Sequence, residues 1–216
     1  MTSEEVQSDS SENLFNVEGL KNIRTFSLLS IFGYTINSVF IVLDTAILTR
    51  SLTSIVNPSG NVGPSIDVLN IGLDMGALGI VGTILMLISL IFLRRGYSVL
   101  QEVSMEFSTP YKGVNLLFIG LIVMAAGFLV LLPIVFSSLA FYAMIGIIAL
   151  VMIGSILALI GEILALIIGP FKLNTYFNEP AFGTAGILMI VGLFIPFVSI
   201  AGIAMIYKGT NSLLRI

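Results

Sequence analysis

The sequence predicts an all-α fold: a polytopic membrane helix bundle with five transmembrane helices. Two observations carry this. Of the 216 residues, 57% are hydrophobic and only 10% are charged, against roughly 25% charged in an ordinary soluble domain. A soluble fold of this size leaves about a quarter to a third of its surface wet and cannot hide that much apolar chain. Five apolar stretches, moreover, reach the roughly 20 residues that a helix needs to cross a bilayer. Strands of a membrane barrel would be about half as long and would alternate polar with apolar. Inside lipid, backbone groups find no water to bond, so such stretches have to be helical.

The chain divides into an acidic segment (1–25), a five-span domain (26–208) and a short C-terminal tail (209–216). Residues 1–25 carry Glu4, Glu5, Asp9, Glu12 and Glu18 and read as a cytoplasmic tail. Lys21 and Arg24 precede the first apolar stretch, Phe26–Leu48, which is too long for a cleaved signal peptide and reads as an uncleaved anchor. The loop Thr49–Asn70 holds Asn57-Pro58-Ser59-Gly60 and Gly63-Pro64, which are turn signals. Span two is Ile71–Leu93. After it, Tyr97, Leu100, Val103 and Phe107 recur on one face of Gly96–Phe107, which predicts an amphipathic helix lying on the cytoplasmic interface. Arg94 and Arg95 stand at its start, at the level of anionic headgroups.

Span three is Val114–Phe136, followed by a tight uncharged turn near Ser137–Leu139. Span four, Ala140–Gly169, is longer than a bilayer requires and has to tilt or protrude. Span five is Thr184–Tyr207. Pro133 and Pro196 each remove a backbone donor and kink their helices, as static bends or as hinges.

Basic residues set the orientation. Lys21, Arg24, Arg94, Arg95, Lys112 and Lys172 fall on one side of a five-span chain; Arg50, Lys208 and Arg215 fall on the other. The larger set belongs in the cytoplasm. The expected location is the cell membrane, with the N-terminus cytoplasmic and the C-terminus external.

Two pairs of segments resemble each other. Gly82–Ile88 matches Gly154–Ile160, and Phe107-Ser108-Thr109-Pro110-Tyr111-Lys112-Gly113 matches Phe177-Asn178-Glu179-Pro180-Ala181-Phe182-Gly183. The shared Phe-x-x-Pro-x-x-Gly lies just before spans three and five, with Ser108 or Asn178 as a candidate cap. A parallel repeat of two hairpins, spans 2–3 and 4–5, is one reading. Two independent helix starts is the other.

Small residues recur at helical spacing: Gly72, Gly76, Gly79 and Gly82 in span two; Gly113, Gly120 and Gly127 at span three; Gly154, Ala158, Gly161 and Ala165 in span four. Such stripes allow close helix approach, either within one bundle or as an oligomer face.

A charge inside lipid needs a reason, because insertion at the centre costs about 2.5–3.5 kcal/mol. Asp44, Asp74 and Glu162 qualify. Asp44 and Asp74 sit at external headgroups or form a cation vestibule with Asn37. Glu162 is the deepest acid; it snorkels or pairs with Arg94, Arg95 or Lys172, stays as a protonated, hydrogen-bonded acid, or carries a proton.

The chain holds no Cys, His or Trp. That removes disulfides, thiolate nucleophiles and iron–sulfur ligation, together with the commonest base and metal ligand. No catalytic constellation, cofactor motif or basic nucleic-acid surface is present; no cofactor and no nucleic-acid partner are expected.

Gly19-Leu20-Lys21-Asn22-Ile23-Arg24-Thr25, Arg95-Gly96-Tyr97-Ser98-Val99-Leu100 and Gly183-Thr184-Ala185-Gly186-Ile187-Leu188 come in an order that resembles a crenarchaeal family of multi-span membrane proteins known only as a domain of unknown function. The resemblance covers roughly residues 15–210 and leaves the acidic segment outside. It implies an archaeal cytoplasmic membrane and transfers no catalytic residue. The expected function is non-enzymatic: a scaffold or accessory subunit whose partners are the bilayer and other membrane subunits or further copies of the chain. The alternative is a small-solute or ion transporter or channel using the intramembrane acids.

Overall fold

The computed structural model describes residues 3–56, 66–134 and 140–215, with side chains described for 13–39, 42, 80–127, 146 and 148–215. Every element among these is helical: α1 (Ser3–Val56), α2 (Ile66–Val103), a 3-10 turn (Met105–Phe107), α3 (Ser108–Ile134), α4 (Ala140–Glu162), a π-helical turn (Ile163–Ile168), α5 (Gly169–Phe177), α6 (Pro180–Gly192) and α7 (Pro196–Leu213).

The acidic segment does not form a separate tail. Its helix runs unbroken into the first apolar stretch, and the 54 residues of α1 extend about 81 Å. No proline interrupts it, since Pro58 is the first in the chain. Its early acids also suit the positive end of the helix dipole.

Among the described residues, three helical segments are long and apolar enough to cross a membrane: Ile80–Val103, Met105–Gly127 and Ile148–Phe177. They overlap the second, third and fourth expected spans. Their outward faces are apolar, with Ile84, Ile91, Ile122, Ile153 and Ile156 all exposed, as lipid contact requires.

The fifth expected span does not run straight. Leu193–Ile195 leave the helix, and α7 returns antiparallel along α6: Gly192 meets Ser199, Gly202 meets Met189, and Gly209 meets Phe182. Pro196 at the first position of α7 makes the break a reversal rather than a kink. The turn satisfies its own donors, with Leu193 N–H on Met189 O (3.2 Å), Phe194 N–H on Val191 O (3.1 Å) and Ile195 N–H on Val191 O (3.0 Å). The 13 residues of α6 reach only about 20 Å, short of a full crossing.

Helices pair as antiparallel hairpins: α1 with α2, α3 with α4, and α6 with α7. This is not the pairing that the expected repeat of spans 2–3 and 4–5 would give. Its two Phe-x-x-Pro-x-x-Gly segments do mark two joints, before α3 and before α6. The caps differ from those expected: Ser104 accepts from Glu106 N–H (3.4 Å) at the first joint, and Glu179 accepts from Ala181 N–H (3.4 Å) at the second. Asn178 instead ends α5 in the left-handed region, φ 53°, a conformation Asn tolerates.

The amphipathic stretch Gly96–Phe107 is not a separate interfacial helix. It is mostly the end of α2, with Tyr97, Leu100 and Phe107 at 0–1% exposure in the core. The same spacing serves an inward face, and nothing breaks α2 before Ser104.

The small-residue stripes of α3 and α4 face each other. A Cβ on Gly120 would strike the Ala158 backbone N and lie 2.7 Å from Gly154 O; one on Gly161 would lie 2.7 Å from Gly113 O. Ala165 is fully buried in the same seam. Between α1 and α2 the approach is slightly looser, a Cβ on Gly33 lying 3.0 Å from Gly82 O and one on Gly82 3.1 Å from Gly33 O. The packing of Gly72 and Gly76 lies outside the described side chains.

Gly120→Ala should therefore lower thermal stability in detergent by about 1–3 kcal/mol through overpacking. A Cβ on Gly146 would meet no atom within 4 Å, so Gly146→Ala should be neutral or stabilising by up to about 1 kcal/mol. Equal effects in paired melting curves would contradict the seam.

Candidate functional site

Four helices enclose a cavity of about 190 Å³, lined by Phe26, Ser30 and Tyr34 of α1, Met86, Ser89 and Leu90 of α2, Leu117 and Leu121 of α3, and Ala158 and Glu162 of α4, with Leu166 of the π-helical turn. Apart from Ser30, Tyr34, Ser89 and Glu162, the walls are apolar.

α1 brings its polar groups there by periodicity. Ser27, Ser30, Tyr34 and Asn37 follow one another at steps of three, four and three, on one helix face. Ser27 and Ser30 are buried at 0% and 1%. Ser27 closes on its own helix, donating to Ile23 O at 2.9 Å. Ser30 reaches across and donates to Ser89 Oγ at 2.8 Å, and Ser89 donates to Met86 O at 2.7 Å. The direction of this relay is fixed, because a carbonyl only accepts. Asn37 turns to α2, its Nδ2 at 3.1 Å from Met86 Sδ.

Glu162 ends α4 and points its carboxyl into this space. Among the described residues it has no hydrogen bond and no ion pair. The expected cationic partners are engaged or directed elsewhere. Arg94 Nε donates to Asn115 Oδ1 at 2.7 Å, with its guanidinium 6.0 Å from the Tyr111 ring centroid. Lys172 pairs with Glu106 at 3.4 Å, both well exposed. Arg95 is exposed. The hydroxyls of Tyr34, Ser30 and Ser89 line the same cavity as the carboxylate.

The π-helical turn that follows Glu162 leaves one carbonyl without a helical partner. In π geometry a carbonyl pairs with the N–H five residues on. For Ala165 that residue is Pro170, which has no N–H. The Tyr97 hydroxyl fills the gap, donating to Ala165 O at 3.1 Å from full burial. Gly169 makes this approach possible, because a Cβ there would collide with the Tyr97 ring and hydroxyl. Tyr97 is held in turn by Phe107 (centroids 6.4 Å), which meets Tyr176 edge-on (5.3 Å).

The other expected acids are not brought to the cavity. Asp44 belongs to α1 and Asp74 to α2, but their side chains lie outside those described. A vestibule of Asp44, Asp74 and Asn37 is thus not among the described contacts.

Sequence reading missed Ser30, Ser89 and Tyr34, and took Tyr97 for part of an interfacial stripe. The signal for the α1 residues was present: hydroxyl and amide groups recurring at helical spacing within an apolar stretch. For Ser89 no such pattern exists, and the hydrogen-bonding role of Tyr97, like that of Ser89, comes only from the facing helix.

A family model matches residues 16–216 of the chain. The chain belongs to that family, described as Protein of unknown function (DUF973). The match begins within α1 and leaves residues 1–15 outside it. No curated protein matches the chain, and no solved structure does. The Glu162 cavity and the Tyr97 contact both lie within the region that defines the family.

Tyr97→Phe should leave the Ala165 carbonyl unpaired at a cost of about 1–3 kcal/mol. Pro170→Ala restores an N–H and should recover part of that loss in the double variant. Additive losses in a double-mutant cycle of thermal melts would show that the two residues do not share one carbonyl.

Proposed function

We propose that this chain is an integral membrane protein that passes a small cationic solute through its helix bundle, with Glu162 as the binding group. The observation that carries the reading is the Glu162 carboxyl, set in a mostly apolar four-helix cavity that it shares with the hydroxyls of Ser30, Tyr34 and Ser89, with no cation beside it among the described residues. A carboxylate in such surroundings is costly to keep unless it serves a ligand or pathway. The absence of His and Cys from the sequence favours a binding or transport role over catalysis.

The scaffold reading drew on small-residue faces, surface helices and the absence of catalytic motifs; of those faces, the stripes of α3 and α4 are filled by each other, which leaves less support for it than for a pathway through the bundle.

The orientation also gains support from the α6–α7 reversal. Lys208 and Arg215 return with α7 to the end that holds Lys21, Arg24, Arg94, Arg95, Lys112 and Lys172. Eight of the nine basic residues then share one side, with Arg50 as the exception. Along α1, Arg50 lies about 39 Å beyond Arg24, close to the full thickness of a bilayer with its headgroups. We place the eight-residue end in the cytoplasm, together with the C-terminus, in place of the external C-terminus that five straight spans would give.

Proteoliposomes carrying the wild-type chain should show cation flux that Glu162→Gln abolishes; unchanged flux would remove Glu162 from the pathway. The Cys-free sequence also allows clean labelling of Asn211→Cys. An impermeant thiol reagent should modify it in inside-out vesicles and spare it in intact cells. The reverse pattern would overturn the placement of the C-terminus.

A further inference from the structure

We propose that the Glu162 cavity is built for a small alkylammonium rather than a bare metal ion. This rests on the reading of Glu162 as the cation-binding group and adds the class of ligand.

The hydrogen-bond inventory selects a ligand that donates. The Ser89 proton is committed to Met86 O, so the Ser30 proton is committed to Ser89 Oγ. Neither hydroxyl has a proton left for the Glu162 carboxyl, while Ser30 Oγ keeps its lone pairs. The Tyr34 hydroxyl is the one lining group with a proton still to give; the carboxylate and Ser30 Oγ present acceptors, and a primary ammonium is their complement, with three N–H donors and no acceptor. An amide or alcohol would bring acceptors for which Tyr34 is the one donor among the lining groups.

The walls select an organic cation over a metal ion. Hard cations such as Ca²⁺ or Mg²⁺ take about six or more oxygens. Here the oxygens come from one carboxylate and three hydroxyls, two of them tied into a relay. Phe26 and Tyr34 bring aromatic rings to the lining, a residue type that attracts an ammonium, and Met86, Leu90, Leu117 and Leu121 offer apolar contact to its alkyl part. The volume of about 190 Å³ admits some six water-sized groups, the size of an ammonium with four or five carbons.

The test uses the full chain in nanodiscs, with n-butylammonium as the probe and n-butanol as its uncharged counterpart. Calorimetric titration should give saturable n-butylammonium binding that Glu162→Gln weakens roughly thirtyfold or more, as expected when one partner of a desolvated charge pair is removed. Weak n-butanol binding should not change with that variant. Because Glu162→Gln could alter packing, a second variant keeps the carboxylate: Leu121→Phe narrows the cavity and should weaken n-butylammonium more than methylammonium.

Equal binding of n-butylammonium to wild type and Glu162→Gln, or equal effects of Leu121→Phe on both amines, would overturn the proposal. Sodium binding at Glu162 with no n-butylammonium binding would also overturn it, yet would leave the cation pathway standing. Absence of any Glu162-dependent binding, together with flux indifferent to Glu162→Gln, would remove both.

Discussion

Close backbone approach between α3 and α4 is the contact on which the rest of the bundle depends. Water drives apolar surfaces together in a soluble protein, but lipid gives helices no such incentive. Gly113, Gly120, Gly154 and Gly161 therefore bring the two helix backbones together where any side chain would separate them. The seam buries Ala165 and fixes the rotation of α4. That rotation turns Ile153, Ile156 and Leu159 outward and Glu162 inward. A looser pairing would let α4 roll, and the acid could then face lipid or the basic end.

Past Glu162 the chain meets a second constraint, again set by a missing group. Pro170 has no N–H, the helix widens, and Tyr97 of α2 supplies the absent donor. The contact ties α2 to the far end of α4 and so helps hold the cavity between them. The hydroxyl relay from Ser30 through Ser89 to Met86 O does the same between α1 and α2. Among the described polar groups that line the cavity, the Glu162 carboxyl and the Tyr34 hydroxyl join no helix to another by a hydrogen bond.

Much of this was legible in the chain. Apolar stretches two, three and four reappear as the long apolar helices, because length and hydropathy decide that question locally. The glycine stripes were visible, though not which helix each one meets. Glu162 stood out by its depth. Other features were ambiguous for physical reasons. Pro196 reads alike as a kink or as the start of a returning helix, and only the contacts of Gly192 with Ser199 and Gly209 with Phe182 separate the two. Tyr97, Leu100 and Phe107 form an apolar stripe that would suit a membrane surface or a protein core equally well. The π-helical turn has no local signature beyond Pro170, and its stabilising partner is 68 residues away in the chain.

The central claim is that Glu162 faces α1 across a cavity between helices. Thiol cross-linking in native membranes tests it directly, using the Cys-free background. A Tyr34→Cys, Glu162→Cys pair should be joined by a short bifunctional reagent. A Leu28→Cys, Glu162→Cys pair should not, because Leu28 is on the outward face of α1 at 43% exposure. Cross-linking of the Leu28 pair with none at the Tyr34 pair would place Glu162 outside the cavity and contradict the arrangement.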